Sequence, residues 1–144
     1  MIDVTASITI NASPAAVATV MFDPQRSPEW MKATSRVEVH DAALAPGARV
    51  THHATFLGQA ISYTTTVESV HFPHLVTMQI TDGPFAGKVR LSVQRTEGGS
   101  QVQIQNQGQL TGLAAFMPES MVSGPMQQAL DADLARLKAI VEGA

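Results

Sequence analysis

No cysteine occurs anywhere in the 144 residues. A disulfide, a thiolate metal centre and a cysteine nucleophile are therefore excluded, and the composition suits a reducing compartment. Charge is sparse as well: 15% of residues are charged, the net charge is −3 and no basic run occurs, which argues against nucleic acid as a partner. No apolar stretch approaches the roughly 18 residues that would span a bilayer. Met1-Ile2-Asp3-Val4 lacks the basic region and apolar core of a signal peptide. The expectation is a soluble, cytoplasmic protein without membrane insertion. Catalytic signatures are equally thin. There is no nucleophile elbow for Ser/His/Asp hydrolysis. There is no Gly-x-Gly phosphate loop either, since Gly83-Pro84-Phe85-Ala86-Gly87 reads as a hairpin turn. The five histidines form no three-ligand zinc set, so neither a metal nor a cofactor is implied. Repeats, low-complexity tracts and linkers are absent. Residues 1–144 read as a single domain, long enough to bury roughly 68–70% of its unfolded surface.

What the chain does have is an alternation that survives five turns. Six segments between Arg36 and Leu110 place apolar residues on one side and polar residues on the other. The oily side carries Val37, Val39, Val50, Ala54, Phe56, Ile61, Val67, Val76, Met78, Ile80, Val89, Leu91, Val93, Val102 and Ile104. The wet side carries Thr51, His53, Thr55, Ser62, Thr64, Glu68, Gln79, Lys88, Arg90, Gln101, Gln103 and Gln105. Side chains alternate across a strand, so a one-residue slip would reverse the faces. Agreement over six segments predicts an antiparallel meander with one buried face. Folding at Gly58-Gln59 sets His52 opposite Thr65, and Ala54 opposite Tyr63. Folding at Gly98-Gly99 sets Val93 opposite Ile104, and Asn106 opposite Leu91. Across Ala45-Pro46-Gly47, Val37 meets Phe56, Asp41 meets His52 and His40 meets His53.

The ends of the chain differ. Ile2 to Ile10 alternates as a strand. Ser13-Pro14 then supplies an N-cap and a first-turn proline, and Ser27-Pro28-Glu29-Trp30 repeats that grammar, so two short helices are expected. Near the C-terminus, Met126, Leu130, Leu134, Leu137 and Val141 recur at spacings of four, four, three and four. They form the stripe of one long helix, with Gln127, Asp131, Asp133, Arg136 and Lys138 outside it. Pro125 predicts either a kink or a separate short helix ahead of it.

A sheet with one oily face must cover that face. One helix about 11 Å across cannot cover seven strands, so a curved sheet around it encloses an apolar cavity. The order of strand, two short helices, six strands and long helix resembles the START-like or SRPBCC superfamily. The stretches that carry the likeness are Asn11-Ala12-Ser13-Pro14-Ala15-Ala16-Val17, Phe22-Asp23-Pro24 running to Pro28-Glu29-Trp30, Pro46-Gly47-Ala48-Arg49, and Gly98-Gly99-Ser100-Gln101-Val102. The resemblance covers nearly the whole chain. It implies an α+β helix-grip fold: a seven-stranded curved antiparallel sheet wrapped around a long C-terminal helix, with two short helices between strands 1 and 2. It also implies ligand binding in the grip cavity. It implies no single reaction, because polyketide cyclase/dehydrase-like proteins and lipid carriers share the fold.

The candidate site follows from that cavity. His52, Tyr63, Thr65 and Asn106 are the polar groups on the oily face, and each needs a partner. They are read either as satisfied core groups or as anchors for a ligand. Phe56, Met78, Leu91, Met117, Met121 and Trp30 complete the expected ligand-binding set. His52 is the best candidate for a catalytic group, with Asp41 or Tyr63 beside it. Three functions stay open: binding or transport of a hydrophobic small molecule such as a lipid, polyketide or aromatic metabolite; a cofactor-free polyketide cyclase/dehydratase-type enzyme; and a protein-interaction module. A homodimer is left open.

Overall fold

The computed structural model describes residues 1–143. Strand β1 (Ile2–Ile10) leads into helix α1 (Pro14–Met21), a short 3-10 turn (Pro24–Arg26) and helix α2 (Ser27–Trp30). Six strands follow: β2 (Thr34–Val39), β3 (Arg49–Phe56), β4 (Gln59–His71), β5 (Leu75–Thr81), β6 (Phe85–Thr96) and β7 (Gly99–Leu110). A second 3-10 turn (Gly112–Phe116) precedes helix α3 (Ser120–Gly143). The sheet order is β1-β7-β6-β5-β4-β3-β2, antiparallel throughout. This is the α+β helix-grip architecture.

The caps fall where the side chains dictate. Ser13 Oγ accepts the Ala16 amide at 3.2 Å, and Asp23 Oδ1 accepts that of Gln25 at 3.0 Å. Pro125 sits inside α3 without dividing it. Its missing N–H deprives only the carbonyl one turn earlier, on Met121, and Met121 is 57% exposed and so open to water.

The buried face has the expected parity, but three registers differ from those read off the sequence. Phe56 pairs with Gln59, so the β3–β4 turn is Leu57-Gly58, both at positive φ. Leu57 adopts a conformation that sequence reasoning reserves for glycine, and the register moves by two. His52 therefore faces Tyr63, while Val50 faces Thr65. The β6–β7 turn is Glu97-Gly98, which pairs Val93 with Val102, Leu91 with Ile104, and Val89 with Asn106. Between β2 and β3 the shift is four: Val37 faces His52 and Val39 faces Val50. These three shifts are even, so they move no side chain to the other face; parity reverses only past the irregularities at Thr34/Arg36 and Val67/Ser69, where Val70 turns to the core.

The main core gathers Ile2, Val17, Trp30, Val93, Val102, Leu134 and Leu137 between α3, the short helices and the β1/β7 edge of the sheet. Helix α3 packs chiefly on β1, with α1 and α2 beside it. Gly87 and Gly108 face each other across β6 and β7, and a Cβ on either would strike partner-strand backbone, at the Gln107 or Ala86 carbonyl. Gly108→Ala is expected to destabilise the fold by roughly 1–3 kcal/mol, seen as a lower urea midpoint at unchanged slope. An unshifted midpoint would mean that the strands relax there freely.

Candidate functional site: a two-chambered cavity

Because α3 lies toward one edge of the sheet, the inner faces of β3 to β6 look onto open space. That space is a cavity of about 650 Å³. His52, Tyr63, Thr65, Met78, Leu91, Asn106 and Trp30 all line it. Its mouth lies between the α1–α2 segment, the β2–β3 loop and the β4–β5 turn, where Phe22 meets Phe72 edge to face at 6.2 Å. A second chamber of about 140 Å³ lies behind Tyr63, Asn106 and Leu130, which also border the first.

The polar groups form a stacked pair with few partners. The His52 ring lies flat on the Tyr63 ring, centroids 4.8 Å apart at 9°. The two residues are a cross-strand pair, so the two-residue register is what creates the stack. Thr65, the diagonal neighbour, holds His52 Nε2 at 3.1 Å. Among the described residues, His52 Nδ1 is buried with no partner, as are Asn106 Oδ1 and Trp30 Nε1. Asn106 Nδ2 reaches only the Met126 sulfur, at 3.8 Å.

Burial dominates the proton affinities. Desolvation, with His53 as a smaller like-charge influence, pushes the His52 imidazole down to about 4. The ring is neutral at pH 7. Desolvation likewise pushes the Tyr63 phenol up to about 12, against a hydrogen bond with Thr34 and with a further upward push from the charge of Asp133. Tyr63 is deeply enclosed yet keeps accessible surface, which belongs to the cavity walls.

Several expected site residues lie elsewhere. Phe56 lines the inner chamber and not the main one. Met117 and Met121 line neither. They sit at the end of α3 nearest the second 3-10 turn, where Glu119 binds the chain's N-terminus at 2.9 Å. Asp41 does border the main cavity, at the β2–β3 loop, but it does not face His52: its Oδ2 accepts the Arg49 amide at 2.8 Å, as a loop-closing aspartate does. His40 does not face His53 either. Its Nε2 lies 2.8 Å from Thr51 Oγ1, and His53 sits 3.3 Å from Glu38.

One functional-looking residue went unrecognised. Asp133, assigned to the solvent side of α3, is only 6% exposed. Its Oδ1 accepts the Lys32 amide at 3.2 Å and lies 3.7 Å from Arg136 Nη1, and Arg136 donates to the Trp30 carbonyl at 3.1 Å. Desolvation pushes its carboxyl up to about 6, against those two favourable contacts. A signal was present in the spacing: Leu130, Asp133 and Leu137 are three and four apart, on one helix face.

A family described as polyketide cyclase/dehydrase and lipid transport matches residues 1–142. No curated protein matches the chain. Among solved structures, a protein from Thermus thermophilus is 19% identical, with a TM-score of 0.84 over 98% of this chain and 97% of that one. A START superfamily protein from Mycobacterium smegmatis is 15% identical, with a TM-score of 0.84 over 99% of each chain. The Zhui aromatase/cyclase from a Streptomyces species is 13% identical, with a TM-score of 0.77 over 97% and 93%. At these identities the likeness speaks for the fold alone.

Proposed function

The chain belongs to the polyketide cyclase/dehydrase and lipid transport family, and from that premise we propose that it binds a hydrophobic small molecule in the main cavity. The observation that carries this reading is the cavity itself: about 650 Å³, walled mostly by apolar side chains, in a chain whose sheet and helix otherwise pack closely. A volume of that order suits a drug-sized ligand. Burial of its apolar surface would contribute roughly 25 cal/mol per Å² before ordering losses. His52, Tyr63, Thr65 and Asn106 would orient it, with Trp30, Met78 and Leu91 as apolar wall.

The state of His52 favours binding over proton transfer. An imidazole held near 4 is neutral at pH 7 and a poor proton acceptor, whereas a general base works best with a pKa near the working pH. The cyclase/dehydratase reading draws on the family description and on the fold of the Streptomyces aromatase/cyclase. It would require a ligand that raises the imidazole's proton affinity. Native mass spectrometry of the protein purified from its own host tests the binding reading. The expected result is an adduct that is lost on denaturation. Bare protein that also takes up no apolar dye would sink it.

A further inference from the structure

The inner chamber has a chemistry of its own, and reading it rests on the main cavity being a ligand site. Its volume, about 140 Å³, is that of a single ring; an apolar hole of about 150 Å³ is enough to hold benzene. Phe56, Ile61, Phe85 and Met126 supply its apolar wall. Into that wall α3 sets one carboxylate, Asp133, more than nine-tenths buried. A purely structural account uses only half of it. Oδ1 serves the Lys32 amide and faces Arg136, tying the end of α2 to α3. Oδ2 accepts no hydrogen bond from the described residues and keeps some accessible surface. Burial of a carboxylate with one oxygen unserved is unfavourable, which agrees with its raised proton affinity. A donor brought by a ligand would serve it.

We infer that the inner chamber is a ring-sized subsite in which Asp133 Oδ2 receives a hydrogen bond from a hydroxyl or amine on the ring of an apolar ligand. A carboxylate at that end of the ligand is excluded, because it would meet a like charge where no cation lines the chamber. Tyr63 and Asn106, which border both spaces, mark where such a ligand passes from one to the other.

Small ring probes test this at pH 8, where Asp133 is ionised. Phenol, aniline, toluene, acetophenone and benzoate are titrated while the amide signals of Thr34, Tyr63 and Asp133 are followed by NMR. Phenol and aniline are expected to bind roughly tenfold or more tightly than toluene, with benzoate leaving those signals unmoved. Asp133→Asn sharpens the test. Its amide oxygen must stay on the Lys32 N–H and Arg136, which turns the NH2 toward the chamber. The order is then expected to invert, with acetophenone, which only accepts, about tenfold ahead of phenol. Phenol binding no tighter than toluene, or an unchanged order in the variant, overturns the subsite. If the variant does not fold, the wild-type series decides alone. Apolar-dye uptake by the main cavity is read in parallel. Dye binding without chamber selectivity counts against the subsite only, and loss of both counts against the main-cavity reading.

Discussion

Val89→Trp is expected to weaken uptake of the cavity ligand about a hundredfold while leaving the fold intact. Val89 sits mid-strand on β6, between Met78 and Asn106, with its side chain on the cavity wall. The added indole enters existing space, so the usual overpacking penalty of roughly 1–3 kcal/mol need not arise. It displaces on the order of 120 Å² of ligand contact, worth roughly 3 kcal/mol at 25 cal/mol per Å², or about a hundredfold in affinity. Adding Met78→Trp should leave no measurable binding. Titration with an apolar fluorescent dye, alongside urea unfolding of each variant, reads both effects. Undiminished affinity in the double variant would place the ligand outside this cavity.

The second large effect concerns acid. His52 and Asp133 are both buried, and their proton affinities are displaced in opposite directions. The unfolded imidazole takes a proton below about 6.5, and folded His52 refuses it until about 4. In that window the unfolded chain binds more protons, so His52 makes stability fall as the pH is lowered. Folded Asp133 takes its proton at about 6, the unfolded carboxyl only at about 3.8. There the folded chain binds more protons, so Asp133 makes stability rise on acidification through nearly the same range. Each effect is on the order of 3 kcal/mol, and the two nearly cancel. His52→Gln should therefore gain about 3 kcal/mol relative to wild type between pH 6.5 and 4, and Asp133→Asn should lose about as much. The exposed carboxylates whose affinities are lowered, such as Glu29, Glu38 and Glu142, contribute equally to all three proteins and drop out of the differences. Urea unfolding at several pH values tests the opposition. Parallel stability curves for the three would show that neither group is buried as described.

How much of this was legible in the chain varies with the kind of order involved. Parity was legible and register was not. An apolar residue at Val50 or Ile61 must face inward, but moving a strand by two residues keeps every such residue inward. Only turn geometry separates those alternatives, and Leu57 at positive φ is a conformation its sequence does not advertise. The consequence is local but chemical. The His52–Tyr63 stack exists in the true register, whereas the register read from the sequence gave His52–Thr65. Asp133 shows the same limit on a helix. Its spacing from Leu130 and Leu137 put it on the inner face, but charge alone argued for solvent, and only the Lys32 amide and Arg136 make its burial tolerable.

The amino-acid order by itself determined the strands and helices, the buried face and the need for a helix to cover it, because these follow from periodicity and burial along the chain. The tertiary structure decided which polar groups meet, how far α3 stands from β3 to β6, and that the resulting space divides at Tyr63 and Asn106. Those outcomes depend on turn conformation and on contacts between residues far apart in the chain, such as Lys32 with Asp133, and no local pattern encodes them.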